Sequence, residues 1–202
     1  MVQRCLIRAL FFSCLMLPTF AAARETEPLR PLSGEARLRW VVKSTVGPKS
    51  LAAGLVSAGG GTALNRPPEY GPHWEGFAKR YGMRLTGIAT SNALEAGLGA
   101  AWGEDPRYVR STENRFLNRI GHAGRLTFMA YRANGSIAPA YARYSGIAGS
   151  NFLSNTWRVQ SESTVGAALV RTALGFAGKF ASNVFEEFFK RGRNSKDATR
   201  RP

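Results

Sequence analysis

Residues Ser163 to Phe189 read STVGAALVRTALGFAGKFASNVFEEFF, and the spacing of their apolar side chains predicts a long α-helix. Advancing 100° per residue from Val165, the residues Leu169, Val170, Ala173, Leu174, Phe176, Ala177, Phe180, Ala181, Val184, Phe185 and Phe188 fill a continuous arc of about 200°. A surface helix needs little more than about 100° of apolar face, so this arc predicts a central packing element or a helix deep in an interface. Arg171 and Lys179 lie on the same helix. Each would cost roughly 2.5–3.5 kcal/mol near mid-bilayer, which argues against a membrane span. The expected fold is all-α, a compact bundle of about five to six helices joined by Gly/Pro-rich turns.

Upstream, Ala142, Gly146, Ser150 and Ser154 recur at every fourth position after Pro139, a small-residue stripe suited to close helix contact. Phe116 to Tyr131 predicts another helix, with Phe116, Leu117, Ile120, Gly124, Thr127, Phe128 and Tyr131 on the packing side and Arg115, Arg119, His122, Arg125 and Arg132 on a cationic side. Asn134-Gly135 is a turn signal, and LTFMAYR before it alternates enough to make a β-hairpin the competing reading. The helix explains more residues. Glu75 to Trp102 has helical spacing, with Met83, Ile88, Leu94, Leu98 and Trp102 on one arc that also carries Glu95. Short helices are expected over Glu35 to Lys43, capped by Ser33, and after Pro48, running through Leu51 to Ala58 and ended by Gly59-Gly60-Gly61. The helical domain therefore spans residues 35–189. NRPPEYGPHW (Asn65 to Trp74) and GEDPRYVR (Gly103 to Arg110) are turn segments, since proline ends helices and restrains the residue before it.

The ends read differently. Met1 to Ala23 has Arg4 and Arg8, nine apolar-core residues from Ala9 to Leu17, and a small-residue site at Ala21-Ala22-Ala23, the pattern of a cleaved export signal. Residues 24–34 read as a flexible leader, and Lys190 to Pro202 as a disordered basic tail. The expected location is exported, periplasmic or envelope-associated. Cys5 and Cys14 both fall in the signal, leaving the remainder without a disulfide or thiolate site. Without Arg4 and Arg8, 26 basic residues face 13 acidic ones, a net charge of +13. In an exported chain that charge points to anionic lipid or lipopolysaccharide and makes nucleic acid an unlikely partner. The small-residue helix faces offer a second kind of partner, another protein.

Catalytic equipment is sparse. His73 and His122 are the only histidines, so no metal site is expected. No cofactor motif is present: Gly59-Gly60-Gly61-Thr62 lacks the lysine of a phosphate-binding loop, and Gly149-Ser150 lacks a nucleophile-elbow frame. Glu95 is the one acid placed where burial would raise its proton affinity and suit it to general-acid work; the competing reading pairs it with an arginine. Glu75, Glu104 and Asp105 are second carboxylates by type only. A binding surface is expected from Tyr70, His73, Trp74, Lys79, Arg80 and Tyr81, continued by Asp105, Arg107 and Tyr108, although the same residues would serve to dock loops on helices. Arg115, Arg119, Arg125, Lys190, Arg191 and Arg193 make up the expected cationic surface.

PEYGPHWEGFAKRYG, followed by DPRY at Asp105 to Tyr108, resembles a family of uncharacterised exported bacterial proteins over about Arg37 to Lys190. The resemblance implies an exported helical protein and assigns no activity. Family members often follow DPRY with another aromatic, where Val109 stands in this chain. The leading expectation is a non-enzymatic envelope protein attached peripherally to anionic membrane components. The alternatives are a cell-wall polymer hydrolase with Glu95 as general acid and, more remotely, an outer-membrane β-barrel.

Overall fold

Ser33 sets the first boundary: its Oγ accepts the Ala36 N–H at 3.2 Å and opens α1 (Gly34–Val46). The computed structural model describes residues 32–189. The expected signal, most of the expected leader, and the tail with Lys190, Arg191 and Arg193 lie outside those residues. Pro48 begins α2 (Pro48–Ala63), and after the turn segment come α3 (Trp74–Trp102) and α4 (Phe116–Phe128). Strands β1 (Met129–Tyr131) and β2 (Ile137–Pro139) precede α5 (Tyr141–Leu153) and α6 (Val165–Phe189). The architecture is all-α, with six α-helices and one two-stranded hairpin among the described residues.

The centre is α3. Helices α1 and α2 pack on one part of it and α5 on another, while α6 lies on α4 and α5. Of the two readings of the Ser163–Phe189 helix, central or deep in an interface, this corrects the first: Val165, Leu169, Val170, Leu174, Phe185 and Phe189 all stand exposed within the chain. Much of its apolar arc is made of residues that no other described helix buries. What α3 buries is Gly76, Arg80, Glu95, Ala96 and Gly99, small or charged residues rather than its leucines. The stripe on α5 explains the choice. Ala142, Gly146, Ser150 and Ser154 are buried, and a Cβ built on Gly146 would sit 2.8 Å from the Ser91 carbonyl oxygen. Backbone meets backbone there. The stripe is thus consumed by α3 within the chain.

Two helix boundaries also differ from expectation. α2 runs through Gly59-Gly60-Gly61, because the tertiary setting offsets the roughly 1 kcal/mol that each glycine costs. A Cβ at Gly61 would lie 3.0 Å from Arg80 Cδ and 3.2 Å from the Arg66 carbonyl, so this glycine admits the Arg80 side chain. α4 stops at Phe128 and the hairpin forms, pairing Met129 with Pro139, Ala130 with Ala138 and Tyr131 with Ile137. Gly135, at φ 80°, supplies the left-handed turn position. Arg143 finishes the stop: its Nη1 donates to the carbonyls of Leu126, Thr127 and Met129 at 2.6, 3.1 and 3.2 Å. A guanidinium at a helix C-terminus satisfies carbonyls that would otherwise be orphaned.

Candidate functional site

Three polar clusters hold the residues that the sequence singled out. The first is built on Arg80, which is 7% exposed. Its Nε donates to Arg66 O at 2.8 Å, Nη1 to Gly71 O at 2.7 Å and Thr62 Oγ1 at 3.3 Å, and Nη2 to Pro67 O at 2.8 Å and Asn65 Oδ1 at 3.5 Å. Its donors are taken up by the turn, so Arg80 docks the loop on α3 and has no group left for a ligand. Gly71, at φ 82°, brings its carbonyl to the same guanidinium, and a Cβ at Gly76 would meet that oxygen at 2.1 Å. Tyr70 is buried under Arg80 at 5.6 Å, and desolvation pushes its hydroxyl pKa up. Trp74, Phe77 and Tyr81 stack at 5.1 and 6.0 Å, with Trp74 outermost and exposed. His73 and Lys79 are exposed beside that stack. The docking role holds for Tyr70 and Arg80, while Tyr81 packs beside Gly54 of α2 and His73, Trp74 and Lys79 stand exposed.

The second cluster is the strap from Gly103 to Ser111. Its start pairs with the hairpin, Asp105 N–H donating to Tyr131 O at 2.9 Å and Ala133 N–H to Gly103 O at 3.0 Å. Glu104 Oε2 accepts the Ala142 N–H at 3.0 Å, at the positive N-terminus of α5. Asp105 accepts the backbone N–H of Arg107 at 2.9 Å and pairs with its guanidinium at 2.6 Å. The strap ends on α6. The Glu187 side chain is fully buried, and its carboxylate accepts from Tyr108 Oη at 2.8 Å, Ser111 N–H at 3.1 Å and Arg119 Nε at 2.8 Å. Burial alone would raise the Glu187 pKa, but donation by Arg119, Ser111 and Tyr108 outweighs it and holds the carboxyl below its ordinary value. Burial, then the Glu187 hydrogen bond, pushes the Tyr108 hydroxyl far up. His122 Nε2 lies 2.9 Å from Val109 O, a backbone contact at the residue after DPRY. Asp105, Arg107 and Tyr108 therefore form a structural strap, and Arg119 is drawn from the expected cationic surface into it. Arg115 stays exposed, whereas Arg125 is engaged.

The third cluster crosses the centre. Glu95 Oε1 is 2.8 Å from Arg143 Nε, with side chains 6% and 3% exposed, and 3.9 Å from Lys179 Nζ. Desolvation lowers Lys179 to about 8 against the opposing pull of Glu95. Glu95 is therefore the arginine-paired residue of the two readings, and it links α3, α5 and α6. Neither Glu104 nor Asp105 faces it; both are committed to the strap.

The sequence reading passed over Arg143, Glu187 and Asn183, all buried. Asn183 Nδ2 donates to Thr127 Oγ1 at 3.1 Å and to Ala123 O at 3.3 Å, tying α6 to α4. Outside the clusters, large apolar side chains lie at the surface on α1, α2 and α6, from Leu38, Val42 and Val46 to Leu55, Val56 and Leu64. Among the described residues there is no group of three His, Cys, Asp or Glu able to hold a metal, and no helix long and apolar enough to cross a membrane. These features define a class: a helix bundle with a small-residue and ion-paired interior and an apolar, partly cationic exterior. No family model, curated protein or solved structure matches the chain.

Proposed function

We propose that the chain is a non-enzymatic envelope protein whose helical domain associates peripherally with anionic membrane components. One observation carries the reading: exposed apolar side chains stand beside exposed cations on the N-terminal helix pair. On α1, Leu38, Val42 and Val46 share an arc of about 140° with Arg39 and Lys43; Glu35 lies on the same arc and pairs with Arg39 at 2.5 Å, which leaves Lys43 as its net positive charge. Lys49 lies in the first turn of α2, 3.6 Å from Glu186, and the exposed Leu55 and Val56 of α2 and Leu64 just after it carry no charge. Such a face gains apolar burial at a headgroup boundary and attraction to anionic lipid at once. The net charge of +13 without the expected signal favours the same surface. The export pattern of Met1 to Ala23 and the likeness to exported bacterial proteins support the location.

Vesicle flotation tests it. The protein floats with vesicles rich in anionic lipid and less with neutral ones, and added salt reduces the difference; equal binding to both, or none, removes the proposal. The hydrolase alternative has weaker support, because Glu95 is enclosed by Arg143. Wall-polymer cleavage abolished in a folded Glu95→Gln variant would restore it.

A further inference from the structure

We propose that the outward face of α6 enters the acyl region of an anionic membrane, the basic sequence that follows Phe189 supplying attraction for the headgroups, an inference that rests on the membrane reading above. Ala168, Asn183 and Glu187, buried within an arc of about 100°, mark the inward side of α6, while Val165 and Leu169 at the same angles in its first turns are exposed as well. Opposite them Val170, Leu174, Phe185 and Phe189 fall between about 140° and 240°, all exposed, with Leu174 at 65% and Phe189 at 72%. No exposed residue of this helix is charged.

Its charges are drawn elsewhere. Arg171 folds back on Glu162 O at 2.6 Å and Asn151 O at 3.1 Å, Lys179 faces Glu95, Glu186 meets Lys49 at 3.6 Å, and Glu187 is held by Arg119. A helix of 25 residues, about 37 Å long at 1.5 Å per residue, thus turns an uncharged apolar strip outward. Monomers in water rarely carry such a strip without a partner for it.

Charge decides which partner. KRGRNSKDATRRP follows Phe189 directly, with six basic residues against Asp197. Lys49 stands over the Phe185 ring at 4.2 Å but also meets Glu186 at 3.6 Å, so the charge that distinguishes this end is that of the sequence after Phe189. An apolar helix face ending in a basic cluster matches acyl chains beneath anionic headgroups. A second copy laid parallel would bring two cationic ends together.

The test uses the full chain with Cys5 and Cys14 changed to serine and a single environment-sensitive label at Leu174→Cys, or at Ala133→Cys on the exposed hairpin. On vesicles of phosphatidylglycerol and phosphatidylcholine, the Leu174 label shifts to the blue and is quenched by spin labels on the acyl chain, and the Ala133 label is not. In the unlabelled chain, Leu174→Glu lowers partitioning on the order of tenfold, as loss of one leucine from apolar surroundings implies, and Leu174→Met restores it. Binding with the Leu174 label still open to aqueous iodide overturns the insertion and leaves peripheral attachment standing. No binding overturns both. A label protected without vesicles, with the mass of a dimer in solution, assigns the face to a second copy and overturns the proposal.

Discussion

Replacing Glu95 by glutamine tests the interior most sharply. The shape is kept, but Arg143 loses its only carboxylate, 2.8 Å away, at a place where both side chains are almost wholly enclosed. Lys179, 3.9 Å from the same oxygen, becomes a second cation with no anion between it and Arg143. Removing one partner from a buried pair costs about 3–5 kcal/mol, because the remaining charge stays desolvated. The bonds from Arg143 Nη1 to the end of α4 hold that cation in place and prevent its escape to water. Against a total stability of about 5–15 kcal/mol for a typical domain, the loss is large. Urea titration followed by far-ultraviolet dichroism measures it, with an unchanged slope showing that the same fold is being compared. A cost under about 1 kcal/mol, the range of an exposed pair, would refute the reasoning.

Glycine substitution separates contact from propensity. Gly146→Ala forces a Cβ to 2.8 Å from Ser91 O and 3.1 Å from Glu95 N and should cost roughly 1–3 kcal/mol, whereas Gly82→Ala, with open space around it, should gain up to about 1 kcal/mol; equal effects in thermal melts would contradict the α3–α5 packing. Lys179, lowered to about 8 from 10.5, binds fewer protons folded than unfolded between those values. Its contribution therefore makes stability rise from about pH 8 to 10.5, and Lys179→Met should remove that slope in denaturation curves. The depressed Glu187 pKa acts in the opposite region: its stabilisation is present above the ordinary 4.5 and lost as pH falls through the folded value. Glu187→Gln should flatten the acid limb of the stability profile, and an unchanged limb would clear Glu187 of the role.

Helix period and small-residue spacing made much of the bundle legible. The α5 stripe was read because Ala142, Gly146, Ser150 and Ser154 repeat at one helical interval, a purely local signal. The hairpin was read less well, since what stops α4 at Phe128 is Arg143, fifteen positions further on. The place of α6 was misread for a related reason: periodicity reports that a face is apolar, not whether another element covers it. In the candidate clusters, Arg80 and Tyr108 were noticed for their chemistry, but their role as docks depends on carbonyls and a carboxylate supplied by distant segments. One usable signal went unread. Glu95 is the lone charge between Arg84 and Glu104, Arg143 between Arg132 and Arg158, and Lys179 between Arg171 and Glu186. A solitary charge in a long uncharged stretch needs a partner when its helix packs, and these three find one another.

Fractionation of the producing cells tests the central claim of peripheral membrane attachment most directly. The protein should sediment with membranes, resist moderate salt in part because apolar side chains contribute to binding, and be released by alkaline carbonate. Recovery wholly in the soluble fraction after gentle lysis, or retention in the pellet after carbonate, would contradict it.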